Sequence, residues 1–261
     1  VPANLSRYLA TIVAMAGTAM LLTAAQAPSD RSGKVIACGD VTALVAAIQK
    51  ANSGGSGTIR VAPQCTYTLT VPQVPQVPRS SAGADGLPVI TATVIIIGYR
   101  TIIARSARAV PFRLFEIAPT GRLALGGVTV SGGDLPHGVS PSPDGAGILN
   151  NGGKLGIFRG SAVLHNRTAG SGGGIANRHG EILLDHARVM GNIAGTNGGG
   201  IDNEEGIVTV TDQSVLDGNV AAIDGGGICT RAGTVTVAGS EVTFNTPNNC
   251  SPRGAVPNCL N

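Results

Sequence analysis

Four short segments of this chain end in isoleucine after a run of small residues: Gly145-Ala146-Gly147-Ile148, Gly172-Gly173-Gly174-Ile175, Gly198-Gly199-Gly200-Ile201 and Gly225-Gly226-Gly227-Ile228. The isoleucines lie 27, 26 and 27 residues apart. Five residues after each stands a glycine (Gly153, Gly180, Gly206, Gly233), followed by the apolar pairs Leu155/Ile157, Ile182/Leu184, Val208/Val210 and Val235/Val237. Each unit continues through a small residue (Ser161, Ala187, Ser214, Ser240) to a Val or Leu (Val163, Val189, Leu216, Val242). It closes on Asn166, Asn192, Asn219 or Asn245. Glycine clusters interrupt every apolar run before a helix can form, so the period restricts the chain to stacked short strands.

Each unit has three apolar stations separated by tight corners, and pairs such as Val208-x-Val210 alternate at the period of a strand. The spacing predicts an all-β fold, a right-handed parallel β-helix: a three-sided solenoid of 26–27-residue coils. Strands of successive coils lie ~4.8 Å apart, and the usual crossover is right-handed. Two asparagine columns (Asn150, Asn177 and Asn203 with Thr230; Asn166 to Asn245) read as stacked corner side chains rather than ligand contacts. The glycine runs open strands, whereas phosphate cradles open helices.

Upstream, Gly121-x-Leu123-x-Leu125, Val128-x-Val130, Val94–Ile97 and Thr101–Ala104 read as further strands. Residues 38–52 read as a short N-terminal capping helix, with Asp40 as N-cap and Leu44, Val45 and Ile48 on one face. A solenoid end needs such a cover against edge pairing. Residues 71–88 and 134–144 read as protruding loops and 246–261 as a C-terminal tail, within a single domain over 28–261. With 39 Gly, no Trp and 13% charged residues against a usual ~25%, the chain is neither a disordered polyelectrolyte nor a coiled coil.

Residues 1–27 predict a secretory leader. Arg7 is the only charge before Asp30, Leu9–Ala25 is apolar, and Ala25-Gln26-Ala27 supplies a small-x-small cleavage site. A membrane anchor is the alternative, but the run is short for a span and no basic stop-transfer cluster follows. The expectation is a secreted, extracellular protein with no integral membrane segment after cleavage. The five cysteines show no C-x-x-C pair and no histidine at ligand spacing, so no metal site is expected. Cys38 and Cys65 bracket the helical segment and are expected to pair. Cys250 and Cys259 form the second expected pair, leaving Cys229; the alternative joins Cys229 to one tail cysteine.

Several stretches carry a family resemblance: Cys38-Gly39-Asp40-Val41-x-Ala43-Leu44, Gly57-Thr58-Ile59-Arg60-Val61-Ala62-Pro63, Cys65-Thr66-Tyr67-Thr68-Leu69-Thr70 and the Gly-Gly-Gly-Ile coils. Over roughly residues 36–250 the chain resembles secreted actinobacterial right-handed β-helix proteins of the pectin-lyase-like superfamily. Its coils are similar to chlamydial polymorphic outer-membrane repeats. The resemblance implies a fold that carries lyases, hydrolases and adhesins alike. Hydrolases of this fold carry Asn-Thr-Asp, Asp-Asp, His-Gly and Arg-Ile-Lys signatures. Of these only the His-Gly type occurs, as in His179-Gly180.

The catalytic candidates are therefore carboxylates placed by the repeat. Asp185 and Asp212 read as one column, and Asp202 stands with Glu204 and Glu205 at a corner. Asp144 and Asp224 share a column three coils apart, ~14 Å, too far for the ~5–9.5 Å of two-carboxylate hydrolysis. A solvated charged face is the simpler reading. No cofactor is expected, calcium being the only candidate. Stacked Thr-x-Thr rows of an ice-binding surface are not expected, because Thr209/Thr211 and Thr234/Thr236 fall in different registers.

Charge is uneven: residues 28–133 hold ten basic and four acidic residues, 134–241 six basic and eleven acidic. Within the run Arg100–Arg122, Arg105, Arg108 and Arg122 are the candidate ligand-binding residues, for an anionic cell-wall or extracellular polysaccharide. Nucleic acid is not an expected partner. The reading is a secreted or envelope-associated structural and interaction module. The alternative is a polysaccharide lyase or glycoside hydrolase of the pectin-lyase-like fold with a non-standard site.

Overall fold

A computed structural model describes residues 34–73, 84–138 and 143–259. The leader segment 1–27 lies outside them. One helix, Val41–Ser53, opens the described chain. The Asp40 carboxylate accepts from the Ala43 N–H at 2.9 Å, satisfying a free donor of the first turn. Leu44, Val45, Ile48 and Ala51 turn inward. The Cys38–Cys65 disulfide ties this cap to the strands below, and Cys250–Cys259 closes the other end. Cys229 is free and buried.

The other regular elements among the described residues are β-strands, and all pairings between them are parallel; the isolated bridge Phe112–Asp134 is antiparallel. A twelve-stranded sheet begins with Ser56–Arg60 and Thr66–Leu69, both paired to the long strand Thr93–Arg105, which pairs with Arg122–Ser131. It then divides. Lys154–Phe158, Glu181–Asp185, Ile207–Thr211 and Thr234–Val237 continue one branch. Ala162–Leu164, Arg188–Met190, Val215–Asp217 and Glu241–Thr243 continue the other. A six-stranded sheet stacks Phe115–Ile117, Ile148–Asn151, Ile175–Arg178, Ile201–Asn203, Ile228–Thr230 and Cys250–Ser251. A four-stranded sheet stacks Asp134–Leu135, Arg167–Thr168, Ile193–Ala194 and Val220–Ala221.

Successive units sit one on the next in register. Ile148, Ile175, Ile201 and Ile228 are partners in that order, each 0% exposed. The first glycine of each run takes a left-handed φ (66°, 66°, 62° and 60° at Gly145, Gly172, Gly198 and Gly225). The third has no room for a side chain: a Cβ at Gly174 would lie 2.7 Å from the Gly200 carbonyl oxygen.

Two buried columns of carboxamides run through the stack. Asn166 donates to Asn192 at 3.0 Å, Asn192 to Asn219 at 2.9 Å and Asn219 to Asn245 at 2.9 Å. In the other, Asn150 donates to Asn177 and Asn177 to Asn203, both at 2.8 Å, and Asn203 to the Thr230 hydroxyl at 3.1 Å. Asn150 heads this column with its Oδ1 unpartnered, because the residue paired to it in the preceding strand is Ile117.

Three expectations need correction. Of the segment 71–88 read as a loop, residues 74–83 lie outside the described residues, and 84–88 do not protrude: Asp85 and Leu87 are buried. The reason is Arg113, fully buried, whose guanidinium reaches Asp85 at 3.1 Å and the Asp144 carbonyl oxygen at 2.7 Å. Asp134–Leu135, read as loop, is a strand with Leu135 buried. Cys250–Ser251, read as tail, is the last strand of the six-stranded sheet.

Replacing Ile201 by Asp sets an unpaired charge between Ile175 and Ile228, and we expect loss of cooperative unfolding in urea. Asn192→Ala removes the acceptor for the Asn166 N–H and side chain and the donor to Asn219. It should lower unfolding free energy by ~2–4 kcal/mol, since each orphaned buried group costs ~1–3 kcal/mol.

Candidate functional site

The corners that join the six-stranded sheet to the twelve-stranded one stack repeat upon repeat. Pro119–Gly121, Gly152–Gly153 and His179–Gly180 form three such turns, and each is followed by the first residue of a strand. Those first residues are register partners: Arg122 beside Lys154, Lys154 beside Glu181. Their strands turn Leu123, Leu155 and Ile182 into the core, so alternation sends Arg122, Lys154 and Glu181 outward. Together with the corners they line a groove of about 280 Å³. The Lys154 ammonium meets the Glu181 carboxylate at 2.6 Å, and His179 Nδ1 lies 3.1 Å from Glu205. His179 is thus at the groove; a second His-Gly pair stands at His137-Gly138.

The three candidate ligand-binding arginines, Arg105, Arg108 and Arg122, are not brought together in one row. Arg122 pairs with Thr93, at the opposite end of the strand that finishes in Arg105. The Arg105 guanidinium turns back to the carbonyl oxygens of Gly132 (2.8 Å) and Ala109 (2.7 Å) and lies 3.4 Å from Asp134, only 9% exposed. It braces the turn that carries the exposed Arg108. Lys154 was missed as the neighbour of Arg122, because the 134–144 segment separates them in sequence. The matching Gly-x-apolar-x-apolar segments at Gly121 and Gly153 held the signal: both cations occupy the x.

The candidate carboxylates fall in two places. Asp185 is bonded to the neighbouring His186 ring, and its register partner is Thr211, not Asp212. An extra residue after Thr211 displaces Asp212 into the corner, where it and Gln213 take φ of 53° and 61°. The same register makes Thr209 and Thr236 partners, so one threonine of each pair does align.

Asp202 lies instead on the six-stranded sheet, 3% exposed. It accepts from the exposed Arg231 at 2.6 Å, while its Oδ1 has no hydrogen-bond partner among the described residues. Burial pushes its carboxyl up from the usual 3.8 to about 6 against the pull of Arg231, with Asp144 and Glu204 adding to the rise. Arg178 bridges the latter two, in contact with Asp144 and 3.5 Å from Glu204. Burial, then the charge of Asp202, pushes the Cys229 thiol up to about 12, so it stays protonated and unreactive. Asp224 goes the other way, its carboxylate held below the usual range by Ser251 and Asn248. Among the described residues no three His, Cys, Asp or Glu converge as metal ligands. Nor is any described helix long and apolar enough to cross a membrane.

Comparison of the chain with protein-family models, with curated proteins and with solved structures finds no match. The site therefore rests on its geometry.

The buried acids make stability depend on pH. Burial also lifts Asp85, to about 7, against the pull of Arg113. Both folded-state values exceed the unfolded one, so the folded chain holds protons that the unfolded chain releases. Their contribution is complete below pH ~4 and is lost as pH rises through 6 to 7. We expect a higher melting temperature at pH 5 than at pH 8, and a flatter profile for Asp202→Asn. A parent protein that melts higher at pH 8 would contradict these environments.

Proposed function

We propose that the chain is a secreted, three-sided right-handed parallel β-helix of the pectin-lyase-like kind. In this reading it works as an extracellular or envelope-associated interaction module, holding an anionic cell-wall or extracellular polysaccharide in the corner groove. Three stacked parallel sheets support the architecture. The apolar leader segment and two disulfides support an oxidising, extracellular setting. One observation carries the ligand reading: Arg122 and Lys154 are register partners on an outer face. Two cations one strand spacing apart (~4.8 Å) match neighbouring acidic groups along an extended polymer. Glu181 holds the Lys154 ammonium in place and offers an acceptor for sugar hydroxyls.

Retention on immobilised polygalacturonate at low salt should fall several-fold in the Arg122→Ser/Lys154→Ser variant. It should stay unchanged in Arg108→Ser, which lies outside the groove lining, and wild-type retention should weaken as salt rises. Retention indifferent to both salt and the double substitution would refute the groove.

The polysaccharide lyase or hydrolase alternative has one observation in its favour, a carboxyl of raised affinity for protons, Asp202, near Asp144 and Glu204. Its test is the release of unsaturated products or reducing ends from polygalacturonate, alginate or chondroitin, abolished by Asp202→Asn.

A further inference from the structure

Away from the groove, the second branch of the twelve-stranded sheet and the four-stranded sheet meet at another set of corners. On the first, Ala162, Arg188, Val215 and Glu241 are successive register partners. Their strands bury Val163, Val189, Leu216 and Val242, so alternation turns Arg188, Val215 and Glu241 outward, while Ala162 at the head of the row is itself buried. On the second, Arg167, Ile193 and Val220 are successive partners, and Thr246 bridges to Val220. This row is outward too, with Thr168, Ala194 and Ala221 buried beneath it.

The later part of this face is apolar and exposed. Ile193 is 43% exposed, Val220 39%, Ile223 63% and Phe244 86%. Phe244 projects from the corner between the two sheets, whereas Gly218, at the same corner one repeat earlier, has open space where a Cβ would stand. Lone exposed apolar residues are ordinary, but a contiguous set on one face marks a contact surface.

The charges on this face indicate what covers it. Arg188 and Glu241 are both exposed, and neither side chain has an ion-pair partner among the described residues. They occupy one row with Val215 midway between them, ~9.6 Å apart at two strand spacings. Read along the stack, the row is positive, apolar, negative. A two-fold axis through the repeat of Val215 and Val220 reverses that order. It sets Arg188 over Glu241 of a second copy and Glu241 over the second copy's Arg188. The same axis lays Val220 on Val220 and Ile193 opposite Thr246. It also passes Asp217, whose half-buried carboxylate accepts from the Thr243 hydroxyl at 3.2 Å and so enters the contact with a donor of its own chain. A contact of this kind must be self-complementary, and this row is.

We propose that this face, the corner with the two rows that flank it, is the interface of an antiparallel homodimer. The parallel alternative stacks Arg188 on Arg188 and Glu241 on Glu241, and like charges face to face oppose association. A polyanion or an anionic membrane is a poorer match, because the rim presents one sign at each end.

Sedimentation equilibrium on the full chain tests the interface. Wild type should sediment as a dimer at micromolar concentration. Arg188→Glu and Glu241→Arg should each weaken the dimer roughly tenfold or more. The double exchange R188E/E241R should restore it, since the pairs re-form with reversed sign. Phe244→Ser should weaken it independently of salt. Melting curves matching wild type keep the charge variants interpretable, as neither side chain has an ion-pair partner among the described residues. A wild type that stays monomeric at about 100 μM, single exchanges that leave the dissociation constant unchanged, or a double exchange no tighter than either single, would each overturn the proposal.

Discussion

Two columns of asparagine carboxamides hold the stack in register. A carboxamide in a dry interior is costly unless its donor and acceptor are both used. In the column from Asn166 to Asn245, each side chain donates to the oxygen of the next, and that same oxygen also takes a backbone N–H of the previous unit. Slipping one repeat by a residue would unpair a whole row of buried groups together. Apolar contacts between Ile, Leu and Val favour stacking without fixing its phase; the amides fix the phase. The outward rows inherit their alignment from this, so Arg122 stands beside Lys154 and Arg188 two strands from Glu241.

Charge is handled differently on the two flanks of the six-stranded sheet. Toward the N-terminus, Arg113 is enclosed by Asp85, Glu116 and the carbonyl oxygens of Asp144 and Gly145, pinning two excursions to the core with one side chain. Toward the C-terminus, Arg231 remains largely in solvent and reaches in to Asp202. The first arrangement is a clasp whose removal leaves an unpaired buried carboxyl. The second leaves an acid with one oxygen idle behind a side chain that can swing away.

The sequence made the repeated part legible because each column serves one physical need in every unit: a left-handed corner at Gly172, an inward apolar group at Ile175, a ladder amide at Asn177. It also showed the cap, since Asp40 followed by Leu44, Val45 and Ile48 is a local signal. What it hid came from breaks in the period. The added corner residue after Thr211 shifts Asp212 off the row of Asp185, and the 134–144 excursion separates Arg122 from Lys154. Arg113 falls inside the basic run Arg100–Arg122, and nothing local marks it as an arginine whose partners, Asp85 and Asp144, lie 28 and 31 residues away. Buried ion pairs between distant segments leave no periodic trace.

The idle oxygen of Asn150 has a consequence for how such a chain changes length. Its column has a head and a tail. Each amide nitrogen donates to the side-chain oxygen of the following unit as well as to a glycine carbonyl of its own. The last of these donors is met by Thr230, and the first oxygen faces Ile117. A unit copied into the middle, between Asn177 and Asn203, would join donor to acceptor at both seams and leave no new mismatch. A unit added ahead of Asn150 would have to replace Ile117 with a donor, and one added after Thr230 would have to displace a disulfide-closed end. Gene duplication can therefore vary the copy number from within the array, while both termini remain as they are.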